Sequence, residues 1–476
     1  MTKKSNSVSP VILQDGSFQH ADHGKAVTRR QMLRNGSLTS AGWLMAPQLA
    51  WLAKSSSAKA DVTCSEDGAN AGYVPFLVFD LEGGPGLPGN FLVTKDDKSQ
   101  DLLRSYSLLG WDPRESGALD TSFGLPMSRK YSKVLEGIVT TTSATTRANL
   151  RMGSLCHFSQ DDSNINKTSP LTLINKLGFG GEYLRVGIGT RNTLSGGNSD
   201  VVVRSAKDRP VFVNSISAIN AAVSFGPAFA ALSSDQRAMI ADSLNALQGD
   251  QIGDFASRMG GSTLADAAKC AYKKLKDFSA PITEIDPRKN AILQAIYGIN
   301  DQTSVTDPNA LQAAIALNVL NAYSGPGVVS VPGCDYHQLG QTFTDSKDLE
   351  IGQAIGRAVE AAAQLNKPLF FQILTDGGVS ATSNTRLWSS DSGDKSMTVI
   401  GYFNPSGAPQ MRRTQVGRYT DGQGADRSTL IGGDPAKVAY AVFANYLSVI
   451  GRRGEFSNIA GRIFNSEAEI DSLLIF

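Results

Sequence analysis

The sequence predicts an α/β fold, a mostly parallel sheet flanked by helices, and three observations carry that expectation. Pro75-Phe76-Leu77-Val78-Phe79-Asp80 is a continuous apolar run that ends in a carboxylate and is bounded by the turn Glu82-Gly83-Gly84-Pro85-Gly86. Such a run suits a strand covered on both faces, as strands of parallel sheets are. A second run, from Pro368 to Leu374, ends in the same way at Thr375-Asp376-Gly377-Gly378. Before it, Ile351, Ala354, Ile355, Ala358, Val359, Ala362 and Leu365 recur at helical spacing. Helix, strand and acid thus follow one another, and ligands of open α/β sheets bind at the carboxyl ends of strands.

The other elements follow from the same periodicities. Residues 397–403 form a further strand, and Asp434-Pro435 supplies a cap and a first-turn proline for a helix through Leu447. Residues 183–186 and 201–203 are short strand candidates with Gly, Ser and Asn between them. From about 215 to 325 the pattern turns helical and alanine-rich, as in Leu264, Ala267, Ala268, Ala271 and Leu275, which predicts a helical insertion.

Composition narrows the class. Of 476 residues 41% are hydrophobic and 19% charged, enough apolar sequence for a large core and too much for a disordered chain. A net charge of +1 argues against a nucleic-acid partner, since phosphate binding demands an excess of base. The total is uneven: residues 1–60 carry eight Lys or Arg and two Asp, a balance of +6, and the remainder carries −5.

The basic segment reads as an address. Thr28-Arg29-Arg30-Gln31-Met32-Leu33-Arg34 precedes an uncharged stretch from Asn35 to Ala53 and then Ala58-Lys59-Ala60. These are the three regions of a signal peptide, and the paired arginines resemble the twin-arginine signal. Cleavage after Ala60 and export to the periplasm or beyond are expected, with residues 61–476 as the mature α/β domain. Gly36, Gly42, Pro47 and Gln48 dilute the stretch below the ~20 apolar residues of a membrane span, so no transmembrane anchor is expected after cleavage. Cys64, Cys156, Cys270 and Cys334 contain no C-x-x-C pair, and either free thiols or up to two disulfides fit an exported chain.

Candidate chemistry centres on the two histidines of the mature chain. His157 lies in Gly153-Ser154-Leu155-Cys156-His157-Phe158-Ser159-Gln160-Asp161-Asp162, and His337 in Gly333-Cys334-Asp335-Tyr336-His337-Gln338, both loop-like and both near carboxylates. No G-x-S-x-G elbow occurs, so the local signal of a serine hydrolase is missing. Arg412, Arg413 and Arg418 are cationic candidates for holding an anion.

Four segments in order, Phe79 to Gly86, Phe123-Gly124-Leu125-Pro126-Met127, Cys156 to Asp161 and Gly333 to His337, resemble a family of twin-arginine-exported sulfatase-like proteins related to the alkaline phosphatase superfamily. The resemblance spans about residues 26–450. It implies an alkaline-phosphatase-like core with a metal site at the strand ends: Asp80, Asp335, His337 and Asp376 as ligands, with Asp391 or Asp394 near the last acidic element. It places the catalytic candidates at His157, as acid or base, and at Cys156, Ser154 or Ser159. Two histidines cannot furnish a two-zinc phosphatase site, and oxygen-rich ligation favours Ca²⁺, Mg²⁺ or Mn²⁺ over Zn²⁺. The Cys-x-Pro-x-Arg context of formylglycine is absent. The expected function is metal-dependent hydrolysis of a small anionic ester, phosphate or sulfate. The alternative is a non-catalytic relative that binds or assembles an envelope protein.

Overall fold

The computed structural model describes residues 73–95, 102–109, 117–158, 169–175, 177, 187–190, 211–223, 285–375, 377–380, 387–389 and 393–476, together with two short strands near the start. Those strands, β1 (Val11–Ile12) and β2 (Phe18–Gln19), pair antiparallel in a unit of residues 1–63 and 261–264. The rest of the predicted signal segment, and the strand candidates at 183–186 and 201–203, lie outside the described residues.

The second unit is built on one eight-stranded sheet. Its strands are β3 (Phe76–Leu81), β6 (Leu150–Cys156), β7 (Ile188–Gly189), β8 (Val211–Phe212), β9 (Gly327–Val331), β10 (Leu369–Thr375), β11 (Met397–Phe403) and β12 (Gln415–Val416), while β4 (Leu119–Asp120) and β5 (Met127–Ser128) pair separately. The lateral order is β12-β6-β11-β10-β3-β9-β7-β8. β11 runs antiparallel to β10 and β6, and the other pairings are parallel. The sheet is therefore mostly parallel with helices on its faces, the fold class expected from the apolar runs, and β3, β10 and β11 fall where those runs lie.

Strand alternation divides the core. Leu77, Phe79 and Leu81 of β3 join a cluster with the helices Lys133–Thr141, Pro308–Leu320 and Gln341–Gln364, and Phe76 and Val78 join another with the helix Pro435–Val449 and the last residues of the chain. In the second cluster the rings of Phe370 and Tyr446 meet edge-on at 5.6 Å. Each fully buried aromatic of this kind stabilises the fold by about 1.5–3 kcal/mol.

Helix starts follow from capping chemistry. Asp434 Oδ1 accepts from the backbone N–H of Ala436 at 3.0 Å and Pro435 opens the helix, as expected, although it runs on to Val449. Asp307 caps Pro308–Leu320 in the same manner. In the predicted insertion, Ile216, Ile219, Leu293, Ala314 and Leu317 pack in the same cluster as Leu77 and Phe79, and residues 224–284 lie outside the described residues. No helix among the described residues is long and apolar enough to cross a membrane.

Several strands have no counterpart in the sequence reading, among them β9, which flanks Asp80 in the sheet, and β6, read there as loop-like around His157. Its sequence Leu150-Arg151-Met152-Gly153-Ser154-Leu155-Cys156 interrupts the apolar pattern with Arg151, Gly153 and Ser154, yet six of the seven residues are buried: β11 and β12 pair with its edges, and its side chains enter the core clusters on both faces.

Candidate functional site

Asp80 is the penultimate residue of β3 and is 0% exposed. It stands beside Ser330 of β9 and Leu374 of β10. The three strands are parallel, so the carboxyl group lies at their common carboxyl edge, the place where such sheets bind ligands.

The chain leaving β3 and the chain leaving β9 remain zipped together beyond the sheet. Glu82 N–H donates to Val331 O at 3.1 Å, Cys334 N–H to Glu82 O at 3.1 Å and Tyr336 N–H to Gly84 O at 3.4 Å. Gly83 makes this approach possible: its φ is +116°, and a Cβ there would lie 2.6 Å from the Asp335 nitrogen. Asp335 and His337 are exposed on this loop, and the His337 N–H donates to Asp335 Oδ1 at 3.1 Å.

Two of the predicted ligand groups thereby lie at neighbouring strand ends, Asp80 within β3 and the Asp335–His337 pair on the loop after β9. Asp376 and Asp391 lie outside the described residues, as does the side chain of Asp394. Among the described residues, no three His, Cys, Asp or Glu side chains are grouped to hold a metal ion.

What holds the Asp335–His337 loop is a buried residue that the sequence reading missed. Tyr336, between the two, is buried and donates its hydroxyl to Asp348 Oδ1 at 2.7 Å. Asn90 Nδ2 donates to the other carboxylate oxygen at 2.9 Å. Asn90 Oδ1 in turn accepts from Ser132 Oγ at 3.0 Å and Val134 N at 3.3 Å, which ties the network to the start of the helix Lys133–Thr141. Burial raises the Asp348 carboxyl to about 7, against the lowering effect of the Tyr336 and Asn90 hydrogen bonds. The Trp388 indole packs against Tyr336 at 6.3 Å between centroids and donates to Thr344 Oγ1 at 3.0 Å.

The catalytic candidates lie elsewhere along the same edge. β6 runs parallel to β10, so Cys156 and His157 sit at the carboxyl edge too, but β11 and β10 separate them from β3. Three strand spacings put His157 roughly 14 Å from Asp80 across the sheet. His157 is 1% exposed. Its Nδ1 lies 3.0 Å from Phe158 O and its Nε2 3.0 Å from Thr398 Oγ1. A carbonyl only accepts, so Nδ1 carries the proton and Nε2 accepts from the threonine. Burial pulls the ring down to about 4, which leaves it neutral at ordinary pH. Burial also pushes the Cys156 thiol well above its usual range, so it stays protonated. Ser159 lies outside the described residues. Cys156 and Cys334 are free, buried thiols, and Cys334 Sγ donates to Val331 O at 3.2 Å.

Gly84-Pro85-Gly86-Leu87-Pro88-Gly89 matches the G-x-G-x-x-G spacing after β3, although the sequence reading found no strand-linked fingerprint of that kind. The helix that follows ends after four residues at Asn90, and the space a Gly86 Cβ would need is filled by the Trp388 ring at 2.6 Å. A dinucleotide cradle needs both a long helix and open backbone there. In comparisons with known families, curated proteins and solved structures, none matches this chain.

Proposed function

We propose that the chain is an exported, metal-dependent hydrolase of phosphate or sulfate esters with an alkaline-phosphatase-like core. The observation that supports this reading is the burial of Asp80 at the carboxyl edge of three parallel strands, with the Asp335–His337 loop zipped to the turn that follows it. A carboxylate withdrawn from water is costly unless a cation or several donors neutralise it. On this reading the ligands would be drawn from Asp80, Asp335, His337 and Asp376, a mainly oxygen set that would suit Mg²⁺, Mn²⁺ or Ca²⁺. Such a cation supplies polarisation of the ester oxygen and neutralises charge that develops on it. The protein's part is to keep Asp80 dry and aimed, and to present Asp335 and His337 to a small anionic substrate.

A second reading is favoured by one observation: both nitrogens of His157 are engaged and the Cys156 thiol is buried, so neither touches a substrate. On that reading the same edge binds a ligand or an envelope protein without turning it over. Metal content and aryl-phosphate and aryl-sulfate turnover of purified protein, with Mg²⁺, Mn²⁺ or Ca²⁺ added, separate the two. Hydrolysis expects about one equivalent of metal and turnover reduced at least ~100-fold in Asp80→Asn. Metal without turnover selects the binding reading, and neither metal nor turnover overturns the metal site itself.

A further inference from the structure

We infer that Ser330 of β9 supplies a hydroxyl ligand to the cation of the Asp80 site. The inference rests on the metal-site reading of Asp80 and adds a neutral oxygen to a set otherwise made of carboxylates and one imidazole. Ser330 is the one polar side chain in Gly327-Val328-Val329-Ser330-Val331 and is 8% exposed. Its Oγ is buried and has no hydrogen-bond partner.

Strand register puts this hydroxyl beside the carboxylate. Ser330 and Asp80 are partners in the parallel ladder of β9 and β3. Partners on neighbouring strands, ~4.8 Å apart, carry their side chains on the same face of the sheet. The face is fixed by the residues two before each: Val78 and Val328 join the core cluster of the helix Pro435–Val449, as does Leu374, which flanks Asp80 on its other side in β10. Ser330 and Asp80 are thus adjacent oxygen-bearing side chains at the carboxyl end of a largely apolar layer. The Ser330 backbone is held there from the opposite edge of β9, where its N–H donates to Thr190 Oγ1 at 2.9 Å and the Thr190 N–H donates to Val328 O at 3.2 Å.

The chemistry of the pair points to a cation. A buried hydroxyl without a partner costs free energy, and so does a buried carboxylate. A direct hydrogen bond between the two would relieve both, yet Ser330 Oγ makes none. A cation bound by both oxygens neutralises the carboxylate and satisfies the hydroxyl. A carboxylate has about four lone-pair positions, so Asp80 ligates without giving up its other interactions. Hard divalent cations take oxygen sets of this kind, and serine or threonine hydroxyls ligate Mg²⁺ in phosphate-binding loops. β9 then contributes to the site twice, through Ser330 within the strand and through Asp335 and His337 on the loop that follows.

Calorimetric titration of the full chain, first stripped with a chelator, with Mn²⁺ alone tests this. One saturable site is expected in the wild type, lost in Asp80→Asn, weakened about tenfold in Ser330→Ala and restored to within about threefold of the wild type in Ser330→Thr, which keeps the hydroxyl on a side chain suited to a strand. Thermal unfolding of the stripped proteins adds a readout that a purely structural hydroxyl would reverse. Ser330→Ala removes an unpartnered group, so its melting temperature without metal should not fall. A wild-type chain that binds no Mn²⁺ overturns the metal-site reading and this inference together. Binding that is lost in Asp80→Asn but unchanged in Ser330→Ala overturns the role of Ser330 and leaves the metal-site reading standing. A lower melting temperature of stripped Ser330→Ala, or a Ser330→Thr that binds no better than Ser330→Ala, does the same.

Discussion

The hydroxyl of Tyr336 donates to a carboxylate oxygen of Asp348 across 2.7 Å of closed core, and through that bond the exposed pair Asp335–His337 is fastened to the 24-residue helix Gln341–Gln364. Removing the donor isolates its contribution. Tyr336→Phe keeps the ring against Trp388 and removes one of the two side-chain donors, Tyr336 and Asn90, that hold the Asp348 carboxylate. Thermal unfolding should report a loss of about 1.5–3 kcal/mol, the range for a hydrogen bond to a charged group. Amide exchange across residues 333–340 should rise with it, and exchange that does not change would detach the loop from the network.

Asp348 itself makes stability depend on pH. Its carboxyl in the fold titrates at about 7 instead of the ordinary 3.8, so the folded state holds its proton more tightly than the unfolded one. Its contribution is complete below about pH 4 and is lost as pH rises to about 7, on the order of a few kcal/mol. Asp348→Asn should abolish this falling contribution, so that melting temperature rises more steeply between pH 4 and 7 than in the wild type, and a variant with the wild-type profile would place the titration elsewhere.

His157 acts in the opposite direction. Its ring is pulled from 6.5 to about 4 by burial, so the unfolded chain binds a proton that the fold refuses. Stability from this residue is complete above about pH 6.5 and falls as pH drops towards 4. Nuclear magnetic resonance should find the ring neutral, with Nδ1 protonated, down to about pH 4. A midpoint near 6.5 would mean that the ring is open to water. Because His157 and Asp348 have opposite slopes over overlapping ranges, wild-type stability should be flatter between pH 4 and 7 than that of either single variant.

Gly83 is held by the close approach of Asp335. Gly83→Ala places a methyl group in a left-handed conformation and against backbone atoms, and should cost about 2 kcal/mol or more by denaturant unfolding. If the site is assembled as described, metal retention should fall in the same variant more than stability alone accounts for.

How much of this was legible depends on the residue. Phe76–Leu81 and Leu369–Thr375 announce themselves because a strand buried on both faces needs uninterrupted apolar side chains, and Asp434 announces a helix because a carboxylate before proline is cap chemistry. The helix Gln341–Gln364 begins ten residues before its apolar repeat because Thr344 and Asp348 occupy its inward positions, seven and three residues before Ile351. That register was a usable signal for a buried acid. The partner was not, since nothing local links Asp348 to Asn90, 258 residues away.

By itself the sequence determined the layered α/β class, the strand-end position of Asp80 and the charge asymmetry between its first 60 residues and the rest, because apolar period and charge are local properties of the chain. Tertiary structure alone decided that the Asp335–His337 loop meets the turn after Asp80, that His157 is sealed under Thr398, and that Ser330 stands beside Asp80. These depend on strand order and backbone turns, which bring together residues with no periodic relationship in sequence.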